Sequence, residues 1–198
     1  MLTDSKRYVV AALFAFLIPS IAMAESSSNE NAVPERLGFV EWLVLEGTGL
    51  RMKARLDTGA KTSSLHAVNV EPFMKGDEEW VSFQLPLADH QDEDDADGRN
   101  LEEVILEFSL PVERTVKIKR KGAPSQRRFV VVMDFCIAGT SHKTEFSLTD
   151  RGKFSYPALL GRRFMRDDNI LIDSADAFIA KQDCEYKNLA DVAEEHAG

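Results

Sequence analysis

From Leu37 to Ile179 the chain is written in short apolar runs broken by turn residues, and nowhere does it hold a long helical period. That pattern limits the fold more than anything else here, because a side-chain period of two suits strands with one buried face. Phe39 to Leu45 is rich in β-formers, Gly47-Thr48-Gly49 is a turn signal, and Met52, Ala54 and Leu56 alternate with Lys53 and Arg55. The pair reads as a hairpin that ends directly at Asp57. Trp80 to Leu85 alternates and stops at Pro86, and Leu101 to Leu110 reads as a further strand. Arg114 to Lys119 and Phe129 to Ile137 flank a turn at Gly122-Ala123-Pro124-Ser125. A turn at Gly139 to Ser141 precedes Glu145 to Leu148, and Ile170 to Ile172 and Phe178-Ile179 flank Asp173 to Asp176. The expectation is an all-β protein with one short helix beginning near Arg162.

The first segment is different in kind. Lys6 and Arg7 precede an apolar stretch from Tyr8 to Ile21, and Ala22-Met23-Ala24 places small residues before Glu25. This is the layout of a secretory signal peptide. The alternative, a membrane anchor, needs a span of about 20 apolar residues, and this run is shorter and broken at Pro19 and Ser20. The division expected is residues 1–24 as signal peptide, 25–36 as flexible leader, 37–181 as the folded domain and 182–198 as tail. The product is then exported, to the periplasm or beyond. Removing Lys6, Arg7 and Asp4 takes the formal charge from −9 to −10, which argues against nucleic acid or anionic lipid as partner.

Cys136 and Cys184 are the two cysteines. In an oxidising compartment they can form one disulfide tethering a late strand to the tail, or remain two separate thiols. Residues 88–98 hold Asp89, Asp92, Glu93, Asp94, Asp95 and Asp97, but not at the spacing of a calcium loop with its closing Glu. A solvated acidic loop is the reading.

Chemistry enters at Asp57-Thr58-Gly59, at a strand end and followed by Ala60. An aspartic protease needs a carboxylate at a strand end facing a cleft, a glycine that lets the chain turn sharply, and a hydroxyl that braces the loop. Alone, the tripeptide also fits an ordinary β-turn. The context is more specific: Ala158-Leu159-Leu160-Gly161-Arg162 sets an apolar run against a second glycine about a hundred residues later. Asp57 to Ala67, together with Phe146 to Arg151 and Tyr156 to Phe164, resembles the signatures of the bacterial retropepsin-like family long labelled ATP-dependent zinc proteases.

That resemblance implies a small closed β-barrel, with Asp57 as the catalytic acid and Thr58, Gly59 and Ala60 as its loop. It implies supporting roles for Lys61, close enough to influence that carboxylate, and for Leu160, Gly161 and Arg162. A mobile hairpin over the cleft is expected at Lys117 to Arg128, with Lys121, Gly122, Ala123 and Pro124 at its tip. Its six cations either attract an acidic peptide or serve solubility. Zinc is not supported: the four histidines, His66, His90, His142 and His196, form no His-Glu-x-x-His, and catalytic zinc usually takes three protein ligands. No Gly-x-x-x-x-Gly-Lys loop for ATP is present, so no cofactor is expected.

Aspartic proteolysis uses two carboxylates sharing one proton, and the chain has one Asp-Thr-Gly. The expectation is an endopeptidase acting as a homodimer on a peptide or protein substrate. The alternative is a non-catalytic binding or regulatory protein in a membrane-associated assembly, with a membrane protein as partner.

Overall fold

The computed structural model describes residues 33–86, 105–120 and 122–196. In chain order the elements are β1 (Glu35–Gly38), β2 (Val40–Leu45), β3 (Leu50–Asp57), β4 (Ser63–His66), β5 (Val68–Lys75), β6 (Glu78–Pro86) and β7 (Ile105–Pro111). There follow β8 (Arg114–Arg120), β9 (Ala123–Ile137), β10 (Thr140–Thr149), β11 (Ala158–Gly161), α1 (Arg162–Asp167), β12 (Ile170–Asp173) and α2 (Leu189–His196). The protein is mostly β, as the alternation predicts.

β2 and β3 form the hairpin, with Leu45 opposite Leu50. Gly47 and Gly49 adopt positive φ in its turn, a conformation that costs glycine nothing sterically. The main sheet runs β10-β4-β11-β3-β2-β9-β8, and β9 also pairs with β10. Six of its strands therefore close a ring of pairings, with β8 hanging from β9. β9 manages this by length: it pairs with β8 through its first half and with β10 and β2 through its second. Along β3, residues 50, 52, 54 and 56 are buried while 51, 53, 55 and 57 turn outward. The inward set meets a core that includes Leu43, Leu65, Phe135, Phe146, Leu160 and Phe164, all at 1% exposure or less. Phe135 packs edge-on to Phe146 and tilted against Phe164 of α1, which fixes α1 on the ring.

β5, β6 and β7 make a separate antiparallel sheet, inserted between β4 and the β8–β9 hairpin. Val81, Phe83, Leu85 and Leu106 turn its inner face into the same core.

Several elements depart from the sequence expectation. Glu35 and Arg36, assigned to the leader, belong to β1, which pairs in parallel with β12. The tail is structured: Cys184 is disulfide-bonded to Cys136 with their Cα atoms 5.8 Å apart. Beyond it Lys187 bridges to Leu50, and α2 buries Ala190, Val192 and Ala193. α2 is thus a second helix. The 122–125 turn is tighter than expected, since β9 begins at Ala123 and Arg120 pairs with it. Pro124 is tolerated there because it lies at an exposed hairpin tip. Phe178 and Ile179 are not in a strand; Phe178 has φ +57° and its segment is tied down by Glu41. Among the described residues no helix is long and apolar enough to cross a membrane. Residues 1–24, the first part of the leader and the acidic 88–98 stretch lie outside the described residues.

Candidate active site

β3 delivers Asp57 to the end of its outward row, half-buried, with Thr58 and Gly59 exposed beyond it. The Asp57 carboxylate turns back over its own loop: Oδ1 accepts the Gly59 N–H at 2.9 Å and the Ala60 N–H at 3.3 Å. The Asp57 carbonyl accepts the Ala60 N–H as well, at 3.2 Å. A carboxylate that receives N–H groups from the loop it begins is held in one orientation.

β11 holds that loop from the other side. It lies between β3 and β4, parallel to the first and antiparallel to the second. Leu160, fully buried, sits opposite Leu56, and Gly161 sits opposite Asp57. Gly161 donates its N–H to Ser63 Oγ at 3.1 Å. Arg162 N–H goes to the Ala60 carbonyl at 2.9 Å and Arg163 N–H to that of Lys61 at 3.3 Å. The Arg162 guanidinium, exposed, reaches the carbonyls of Thr58 and Gly59 at 3.4 Å each. Leu160, Gly161 and Arg162 thus meet the 57–61 loop, whereas the Lys61 side chain is exposed.

Residues to which no role is assigned by their pattern complete the support. Ser147 Oγ donates to the Ser63 carbonyl. Arg151, buried just past β10, donates to Ser64 Oγ at 2.9 Å and to the Tyr156 carbonyl at 3.1 Å. Its own N–H goes to Nδ1 of the fully buried His66, so the neutral His66 ring carries its proton on Nε2. Arg151 lies inside the signature stretch Phe146 to Arg151, but nothing in its spacing marks it as buried.

His66 and His142 both have partners inside the fold. His142 bonds Asp168 at 2.7 Å and packs between Phe135 and Phe164. Among the described residues no group of three or more His, Cys, Asp or Glu is arranged to hold a metal.

The β8–β9 hairpin carries Gly122 at positive φ with open space around it; Lys121 lies outside the described residues. Lys117 and Lys119 are exposed, and Arg127 stacks on Phe129. Further down, a groove of about 330 Å³ runs between Gln126–Phe129 of β9, Leu148 to Asp150 and Ala67 to Val70. Arg127 and Arg128 line one wall.

Asp57-Thr58-Gly59 at the end of β3, with an apolar strand ending in Gly161 laid beside it in parallel, is the arrangement that the retropepsin-like signatures imply. A family model described as the RimB-like, retropepsin-like aspartic endopeptidase RimB matches residues 36–183. The chain belongs to that family. Curated relatives include a "Probable alpha-L-glutamate ligase" from Shewanella pealeana, 34% identical over 77% of this chain and 32% of its own length. One of the same name from Desulfotalea psychrophila is 34% identical over 74% of this chain and 30% of its own. The chain spans about a third of the length of these relatives. Among solved structures, protein Lpg0085 of unknown function from Legionella pneumophila is 30% identical with a TM-score of 0.60. The match covers 74% of this chain and 98% of that one.

Proposed function

We propose that the chain is an aspartic endopeptidase in a closed, retropepsin-type barrel, and that its working unit is a homodimer in which Asp57 faces the partner's Asp57. One observation carries this reading: Asp57 stands at a strand end, half-exposed, its loop gripped by Gly161 and Ser63. Two such carboxylates about 3 Å apart cannot both ionise, so they share one proton. The ionised member takes a proton from water as it attacks the peptide carbonyl, and the protonated member donates to the carbonyl oxygen. The tetrahedral adduct then collapses, its proton passing to the leaving nitrogen.

The substrate in this reading is an acidic, glutamate-rich peptide. Its support is the cations of the 117–128 hairpin, with Arg127 and Arg128 on the groove wall, and relatives named for glutamate ligation. The site of action is outside the cytoplasm after loss of residues 1–24, a reading supported by the Cys136–Cys184 disulfide, which is rare in reducing compartments.

The test compares wild type with Asp57→Asn on a glutamate-rich peptide, its glutamine counterpart and denatured casein. Cleavage abolished by the substitution and faster on the acidic peptide is the expected result. No cleavage of any probe by the wild type sinks the reading and favours a binding or regulatory role; equal cleavage of both peptides removes the acidic preference alone.

A further inference from the structure

Arg151 is an expensive residue to bury. A guanidinium is charged at any ordinary pH and loses its hydration on entering the interior, yet Arg151 is only 6% exposed. Its contacts join three segments. The Nη1 group binds Ser64 on β4, Nε binds the Tyr156 carbonyl just before β11, and its backbone N–H binds His66 at the end of β4. The His66 N–H adds a bond to the Pro157 carbonyl at 2.8 Å. The upstream end of β11 is therefore pinned to β4 through Arg151 and its neighbour His66.

β11 has only four residues. Its downstream end is Gly161, opposite Asp57 and bonded to Ser63. A strand this short moves as a rigid piece, so displacement at Tyr156 carries Gly161, and with it the loop over which the Asp57 carboxylate is folded. From this linkage we infer that Arg151 is a positioning residue for Asp57, setting where β11 sits along β3 and β4.

The electrostatics agree. Burial pulls the Arg151 guanidinium below its ordinary value and the nearby Arg128 charge adds to this, while Asp57 opposes it. The carboxylate thus lies within the field of the buried cation.

The kinetic arm of the test rests on the proposed peptidase activity; the other arm does not. In Arg151→Met, amide exchange at Gly59 and Ala60 rises while strands β6 and β7 keep wild-type protection. On denatured casein kcat falls about a hundredfold, the scale of a small misplacement of reacting groups, and KM stays within about twofold of wild type. Arg151→Lys, which keeps charge but not the fork, recovers only part of kcat. Folded Arg151→Met with unchanged loop exchange and unchanged kcat overturns the proposal. So does exchange raised equally throughout, which marks a merely structural role. If Arg151→Met does not fold, Ser64→Ala and Arg151→Lys decide: faster exchange confined to the 57–61 loop supports positioning, and wild-type exchange in both overturns it. A wild type that cleaves nothing removes the peptidase reading, and the exchange arm still decides the role of Arg151.

Discussion

Gly161 sits opposite Asp57 across the parallel β3–β11 pair, and it must be glycine because the Thr62 backbone fills the space a side chain needs. A Cβ there lies 2.6 Å from the Thr62 carbonyl carbon and 2.9 Å from its nitrogen, both backbone atoms that cannot move without moving the Asp57 loop. Gly161→Ala is expected to destabilise by about 1–3 kcal/mol, the usual range for overpacking. Activity should fall further than that loss explains. Denaturant unfolding together with kcat measured well below the melting temperature separates the two. An active, fully stable Gly161→Ala protein contradicts the close approach.

Glu41 holds the far end of the same arrangement. It is wholly buried, and Oε1 accepts N–H groups from Gly38, Ile179 and Ala180 at 2.7, 3.0 and 3.0 Å. The turn it braces also presents the Phe39 carbonyl to the Leu56 N–H, one residue before Asp57. Glu41→Ala leaves the buried Gly38 N–H without its acceptor, at about 1–3 kcal/mol, and releases the part-buried Ile179 and Ala180 N–H groups. The expected loss is about 2–4 kcal/mol. Glu41→Gln keeps an acceptor and should lose much less. Equal stability of the two variants by urea unfolding is the contrary result.

The tail was harder to read from sequence than the sheet. Alternation marks β3, β6 and β8 directly, while β2, buried on both faces, is marked by its density of β-formers. β1 and β12 pair in parallel across most of the chain, and nothing local announces a partner so distant. Glu41 looks like an ordinary outward residue of a strand until the 178–180 segment covers it. α2 did leave a signal, a reciprocal cap in which Asn188 accepts the Asp191 N–H and donates to its carboxylate, set within too short an apolar period to register. At the site, Asp57, Gly59 and Gly161 were legible because their chemistry dictates residue type. Ser63, Ser64 and Arg151 were not, since hydroxyls and arginines are common on surfaces and only packing makes them internal.

The tail depends on its covalent tie. Cys136 and Cys184 are 48 residues apart in sequence, and closing a loop of that size restricts the unfolded chain by about 2–5 kcal/mol. Reduction, or the Cys136→Ala and Cys184→Ala pair, should lower the melting temperature and raise protease sensitivity first in the segment after Ala180. An unchanged melting curve under reductant is inconsistent with this.

Acid should weaken the fold partly through Glu145. Its carboxylate takes a forked contact from Arg114, with Arg163 at 3.5 Å, and hydrogen bonding to Arg114 holds its pKa below the ordinary glutamate value of 4.5. A depressed folded value means the stabilisation is fully present above the unfolded value and is lost as pH falls through the folded one. The pair is partly solvated, so its contribution is about 1 kcal/mol or less. Glu145→Gln should therefore be slightly less stable at neutral pH and converge on wild type as pH falls through that lowered value. A gap that widens in acid has the wrong sign.

The proposed dimer makes a prediction that no single-subunit enzyme shares. Asp57→Asn leaves the loop bonds from Gly59 and Ala60 an oxygen to donate to, so the variant subunit should fold and pair. When equal amounts of wild type and Asp57→Asn exchange freely, about a quarter of the two-fold dimers carry both carboxylates. Activity per wild-type chain is then halved, and excess variant drives it toward zero. If each chain works alone, the variant dilutes without inhibiting, and activity per wild-type chain stays constant at every ratio. Sedimentation on the same mixtures shows whether pairing occurred, so constant specific activity in a sample that is demonstrably dimeric rejects a shared dyad.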